Sequence, residues 1–195
     1  ALEYSQTEYH NNRLLNDPAY LRAMSGGNPQ MEAILKGNAA AAVDKQEQAA
    51  INGLATNYSA INPDTLRDRL KAGGQGDLEK AAMARVLLQK DKSLSTMELL
   101  DNLVNESGSS TVRREIARGD HGSLIGAGQK AQIEAGTTNA GKDIKLTDMY
   151  KESAMKWSPE QATKAGPGEL GLLKDLAQTD QGLSQTMSRL ADTIS

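Results

Sequence analysis

The stretch WSPEQATKAGPGEL, residues 157–170, decides how the rest of the chain is read. Ser158 precedes Pro159, and Gln161 stands three residues after the serine. A serine in that place accepts a hydrogen bond from an orphan N–H of the first helical turn. Proline at the first helical position gives up only an N–H that had no partner, and the glutamine reaches back to the serine's own N–H. The segment therefore predicts a helix start at Ser158-Pro159, an interruption at Lys164-Ala165-Gly166, and a second start ahead of Glu169 and Leu170.

The same chemistry recurs at Asp17-Pro18, Asn28-Pro29 and Asn62-Pro63, so four of the five prolines mark helix starts. Ser95-Thr96-Met97-Glu98 reads as a capping box without proline, and Thr147, before Asp148, as a further cap. Apolar spacing agrees. Leu183, Met187, Leu190, Ala191 and Ile194 lie on one face of a C-terminal helix; Met97, Leu100, Leu103 and Val104 mark a helix over about 96–106, and Leu170, Leu173, Leu176 and Ala177 one over about 168–178. Met31, Ile34, Leu35, Ala42, Val43, Ala50 and Leu54 sketch a long helix from Pro29 toward Tyr58, weakened or bent at Gly37 and Gly53. Glycines at 26–27, 73–74, 108, 119, 136 and 166 mark helix ends. No short run alternates β-branched or aromatic residues with polar ones between turn signals, so strands are not expected. The predicted fold is all-α, an array or orthogonal bundle of roughly eight to ten mostly short helices. It is read as a single helical domain over 1–195, with a candidate subdivision near 91–95.

Two segments repeat one another. Ile61-Asn62-Pro63-Asp64 followed by Lys71-Ala72-Gly73 parallels Trp157-Ser158-Pro159-Glu160 followed by Lys164-Ala165-Gly166, and each pair runs into a new acidic helix start with leucine. This suggests a helix pair used twice, a repeat-like arrangement.

Composition excludes several classes of function. With 22 basic against 25 acidic residues, a net charge of -3 and the charges dispersed, no dominant phosphate-binding surface exists, and nucleic acid is not an expected partner. The chain lacks cysteine, which removes disulfides and thiolate metal sites and leaves the compartment open. There is no Phe and a single Trp, so the core must come from Leu, Ile, Val, Met and Ala, and stacking platforms for sugars or bases are scarce. No apolar run approaches the ~20 residues of a membrane span, and the opening residues lack a signal-peptide pattern. The chain reads as soluble, and its opening at Ala1 fits an excised or processed piece of a longer protein.

Few residues suggest chemistry. His10 and His121 are the only histidines and have no His or Cys at ligand spacing, so no metal is expected, and no cofactor motif is present. Asp120-His121 could form an acid–base pair, but a histidine at a glycine-flanked turn is ordinarily solvated. Arg118-Gly119-Asp120 spells the tripeptide that integrins read, without a stapled loop to present it. Gly73-Gly74-Gln75-Gly76 and Gly126-Ala127-Gly128-Gln129-Lys130 are glycine-rich, yet neither follows a strand nor ends in the Gly-Lys-Ser/Thr of a phosphate loop. Gly122 and Gly126, with Ala127 and Ala131, suit close approach of two helices. Asn57-Tyr58-Ser59 and Asn105-Glu106-Ser107 match the glycosylation sequon, which matters only in a secreted eukaryotic protein. The 136–146 segment is the expected exposed loop, and Thr137, Asn139, Lys142 and Asp143 are its candidate binding residues.

Two resemblances bear on function. Asn105-Glu106-Ser107-Gly108 after an apolar helix, followed by Gly126-Ala127-Gly128-Gln129, resembles the lysozyme-like lytic transglycosylases, and 158–166 is similar to a helix start late in that family. The resemblance implies Glu106 as the catalytic acid, its carboxyl kept protonated by an apolar cleft so that it can donate to a glycosidic oxygen. The chain departs from the family in lacking its later Ala-Tyr-Asn-Ala-Gly element and in reading as helix over Val112 to Arg118. The alternation of Ser-Pro-Glu-Gln starts with Lys-Ala-Gly-Pro-Gly-Glu-Leu connectors, over Met149 to Ala177 and again over Ile61 to Ala82, resembles the soluble helical tails of TrbL-like polytopic inner-membrane subunits of bacterial type IV secretion systems. That resemblance implies a protein partner, no catalysis, and membrane spans outside residues 1–195. The leading expectation is a non-catalytic helical interaction module; the alternative is a peptidoglycan lytic transglycosylase acting through Glu106.

Overall fold

A computed structural model describes the backbone of residues 2–119 and 124–194 and the side chains of 8–119 and 124–192. The described residues form helices and connections without a strand, as the capping pattern predicts. There are twelve helices among them, more than the expected eight to ten: α1 Leu2–Asn16, α2 Pro18–Ser25, α3 Pro29–Tyr58, α4 Pro63–Ala72, α5 Asp77–Lys90, α6 Leu94–Glu106, α7 Ser110–Arg118, α8 Ala127–Ala135, α9 Leu146–Met155, α10 Pro159–Thr163, α11 Pro167–Ala177 and α12 Gln181–Ile194. The excess includes α1, which carries no capping signal and only scattered apolar residues.

The chain divides into two compact units, Ala1–Gly53 and Leu54–Ser195. In the first, Asp17 caps α2 by accepting from Tyr20 N, with Pro18 at the first helical position. Asp17 also pairs with Arg13 at 3.1 Å, and the Arg13 guanidinium lies 4.0 Å from the centre of the Tyr20 ring, tying α1 to α2. Gly26 closes α2 in the left-handed conformation, where an L side chain would be strained. Asn28 then caps α3 by accepting from Gln30 N and Met31 N. α3 runs unbroken through Gly37 and Gly53 for 30 residues, about 45 Å at the helical rise.

The second unit is built around α5, which is buried all round: Ala81, Ala82, Met83, Ala84, Val86, Leu87 and Leu88 are all inaccessible. Met83, Val86 and Leu87 join Leu66 and Leu70 of α4 and Leu99 of α6 in a small core cluster. Ala84 and Leu88 belong to the larger core, which continues through α6, α7 and α8 to Tyr150 of α9, Leu172 and Leu173 of α11 and Leu183 of α12. A helix covered on both sides shows no amphipathic stripe. Its one internal charge, Arg85, is paired with buried Glu115 of α7 at 2.5 Å.

Two predicted caps are corrected. α6 starts at Leu94 with Ser93 as its cap, accepting from Thr96 N, so Ser95 lies inside the helix. α9 starts at Leu146, which places Thr147 within its first turn; its first N–H is taken by Asp101 of α6 at 2.7 Å. Of the predicted glycine stops, Gly136 is left-handed and closes α8, Gly108 lies beyond the end of α6 at Ser107, and Gly166 caps the start of α11. The two similar segments share cap chemistry without sharing packing, since α4 lies against α5 and α6 whereas α10 lies against α12. Among the described residues no helix is long and apolar enough to cross a membrane.

Candidate functional site

The single tryptophan stands where α9 turns into α10 and separates two concavities of the second unit. On one side lies an apolar groove of about 380 Å³ lined by Ala154, Ala162, Leu170, Leu173, Met187 and Leu190, with Lys174 among its few polar residues. The sequence explains it. α10 is one short turn, and the small side chains of Ala154, Ala162 and Ala165 facing the Leu and Met of α11 and α12 leave space that larger ones would fill. Ser158 caps α10 with the reciprocal bonds of a capping box, which fixes the turn that carries Trp157.

On the other side lies a polar cleft of about 330 Å³. Gly126 and Gly128 form one wall at the start of α8, and nothing lies within 4 Å of where a Cβ would stand at either position. Gln129 is fixed in place: its Oε1 accepts from Ser153 Oγ at 2.8 Å and its Nε2 donates to the Met149 carbonyl. Trp157 is only 6% exposed, and its indole N–H has no hydrogen-bond partner.

Glu106 is exposed at the end of α6, on the rim of a third concavity of about 400 Å³ that also involves Lys71, Lys80 and Asn102. Its carboxyl is not enclosed by apolar side chains, and Gly126–Gln129 lines a different concavity. Thr137, Asn139, Lys142 and Asp143 are exposed, as expected, on a hydrogen-bonded turn: Thr138 N donates to the Lys142 carbonyl at 2.9 Å and Thr137 Oγ1 donates to the same carbonyl. His10 Nδ1 lies 2.6 Å from the Tyr20 hydroxyl in the first unit. Asp120, His121 and Gly122 lie outside the described residues, and with them the acid–base pair, the end of the Arg-Gly-Asp tripeptide and the start of the glycine pair.

The base of the 137–143 turn is gripped by α6. Asn105 donates to the Ile144 carbonyl and accepts from the Ile144 N–H, both at 2.8 Å, while Asp101 accepts from Leu146 N. Burial pushes the Asp101 carboxyl up to about 7, with Asp148 and Glu98 adding to the rise and the Leu146 N–H opposing it. Between the ordinary carboxyl value of 3.8 and about 7 the folded unit holds a proton that the unfolded chain has released. Stability conferred by the neutral carboxyl is therefore present at low pH and is lost as pH rises through this window. After allowance for screening by solvent, the expected fall is on the order of 1–2 kcal/mol between about pH 4 and pH 7. Asp101→Asn keeps the acceptor and removes the charge, so urea titrations across this range should show that contribution flattened in the variant.

Comparison of the chain with protein-family models, with curated proteins and with solved structures gave no match.

Proposed function

We propose that the chain is a non-catalytic helical interaction module that receives apolar side chains of a protein partner in the groove formed by α10, α11 and α12. The observation that carries this reading is the groove itself, an open apolar concavity bounded by buried Leu173 and Leu190, half-buried Leu170 and Met187 and exposed Ala191. Clefts of this size and lining take aliphatic or aromatic anchors of a partner, and a few buried anchors supply most of the affinity of such contacts. The exposed 137–143 turn, gripped at its base by α6, is the second candidate contact. The capping pattern over Met149 to Ala177, on which the likeness to TrbL-like tails rests, extends the proposal to a role at the membrane complex of a type IV secretion system.

The test is photo-crosslinking in the producing cells, with a benzophenone side chain placed at Ala191, at Asn139 or at Glu106. Discrete adducts from position 191, suppressed when Met187→Lys charges the groove, are expected; adducts from 139 alone would move the interface to the turn. Hydrolysis of purified cell walls by the parent chain and its loss in Glu106→Gln would overturn the non-catalytic reading in favour of a transglycosylase.

A further inference from the structure

The two stems of the 137–143 turn are fastened by different chemistry. The entering stem is held by Arg113 of α7, which donates to the Glu134 carbonyl at 2.7 Å and to the Ser107 carbonyl at 2.5 Å. Gly136 lies against that side chain in the left-handed conformation, and its N–H donates to the Gln132 carbonyl at 2.9 Å. A guanidinium keeps its charge at every pH at which the chain is folded, so this stem does not respond to protons. The leaving stem is held by two side chains one turn apart on α6. Asn105 takes both backbone groups of Ile144 and donates to the backbone carbonyl of Asp101 at 2.9 Å, while the Asp101 carboxyl accepts from Leu146 N at 2.7 Å.

Of these two side chains only Asp101 titrates, and its surroundings resist its charge. It is half-buried, and the two residues closed over α6, Ile144 and Leu146, are wholly inaccessible. Two carboxylates act on it, Glu98 one turn earlier on α6 and Asp148 in the first turn of α9, against one lysine, Lys145. Asp148 is drawn to Lys151 at 3.5 Å, a lysine that it shares with Asp180 at 3.6 Å. Burial, with Asp148 and Glu98 adding to it, lifts the Asp101 carboxyl to about 7 against the pull of the Leu146 N–H.

We propose that Asp101 is a proton-operated latch: with its carboxyl neutral the 144–146 stem stays closed on α6, and with the carboxyl ionised that stem opens more often while the Arg113 stem stays shut. The sign follows from linkage. Opening returns the carboxyl to water, where its ordinary value is 3.8. Between that value and about 7 opening releases a proton and becomes easier as pH rises; outside the window it is flat. The latch needs no partner. Its use as regulation rests on the 137–143 turn being a contact of the proposed module, which low pH then presents in one fixed form.

Native-state hydrogen exchange of the ¹⁵N-labelled full chain, between about pH 5 and pH 8 and at low urea, separates the two stems. After correction for base catalysis of exchange, the opening constants of the Ile144 and Leu146 amides are expected to rise about tenfold or more, through openings too small to respond to urea. The opening constant of the Gly136 amide should stay level. Asp101→Asn keeps the acceptor, removes the charge and should abolish the rise. Asp148→Asn, at an exposed position, should move its midpoint to lower pH, and the Asp101 carboxyl ¹³C resonance reads that midpoint directly. Level opening constants at Ile144 and Leu146, exchange there only through urea-sensitive global unfolding, or a rise that survives in Asp101→Asn would overturn the proposal. A latch that titrates as stated in a chain that gives no adducts from position 139 supports the latch and removes the turn as a contact, so the two readings fail separately.

Discussion

Lys92→Met is expected to destabilise the second unit by about 3–5 kcal/mol, the cost typical of leaving a buried charge without its counter-ion. Lys92 sits in the connection between α5 and α6 and Glu169 in the first turn of α11; their side chains meet at 2.9 Å and are 6% and 1% exposed. The lysine stem runs past Gly168, whose hydrogen takes the place of a Cβ that would touch it at 3.5 Å. One glutamate oxygen, Oε2, has no hydrogen-bond partner, so the pair is not fully satisfied even when intact. That incompleteness makes the second half of the prediction sharper. Replacing both residues by methionine should restore most of the loss or exceed the parent, since apolar side chains of similar volume need no counter-charge. Urea unfolding followed by the emission of Trp157 measures this unit, because the chain has no other tryptophan. A single variant that loses less than about 1 kcal/mol, or a double variant no better than the sum of the singles, would show that the pair does not hold α11 in place.

What was legible in the sequence was what is local. Asp17, Asn28, Asn62 and Ser158 cap the helices that their prolines open, because a cap and its N–H targets lie within three residues of one another. The caps that were misread are those whose partners lie elsewhere. Thr147 looked adequate for α9, but the carboxylate that takes the first N–H of that helix comes from Asp101, 45 residues earlier. Ser93 won over Ser95 where Asp91, Arg67 and Thr96 form one polar cluster that no local pattern reveals. α5 was visible only as an acidic start, since a helix covered on two sides loses the period by which helices are recognised. In the sequence Gly126 and Gly128 read only as part of a glycine-rich stretch that lacks a phosphate-loop ending. Their opening onto Trp157 depends on α8 lying against the end of α9, and no spacing in the chain encodes that. Glu106 shows the reverse case, a residue singled out by its neighbours that the fold leaves exposed. The structural role in that stretch falls one residue earlier, to Asn105, which holds the Ile144 backbone.

Asn105→Ala is expected to cost about 2–4 kcal/mol, because it strips hydrogen bonds from two backbone groups of a buried residue at once. Ile144 is fully inaccessible, and its N–H and carbonyl are both held at 2.8 Å by the one carboxamide. An alanine leaves donor and acceptor alike without a partner and too enclosed for bulk water to replace it. Asn105→Asp distinguishes this account from a simple loss of packing. The aspartate still accepts from the Ile144 N–H but cannot donate to its carbonyl, and it brings a second carboxylate next to Asp101, so it should rescue little and do so better at low pH. Hydrogen exchange localises the effect. With the clamp gone, protection should fall first at the Ile144 and Leu146 amides, ahead of global unfolding, because these bonds fasten the 137–143 turn and the start of α9 to α6. Unchanged exchange at both amides in Asn105→Ala would mean that buried Ile144 and Leu146 secure the segment by packing alone.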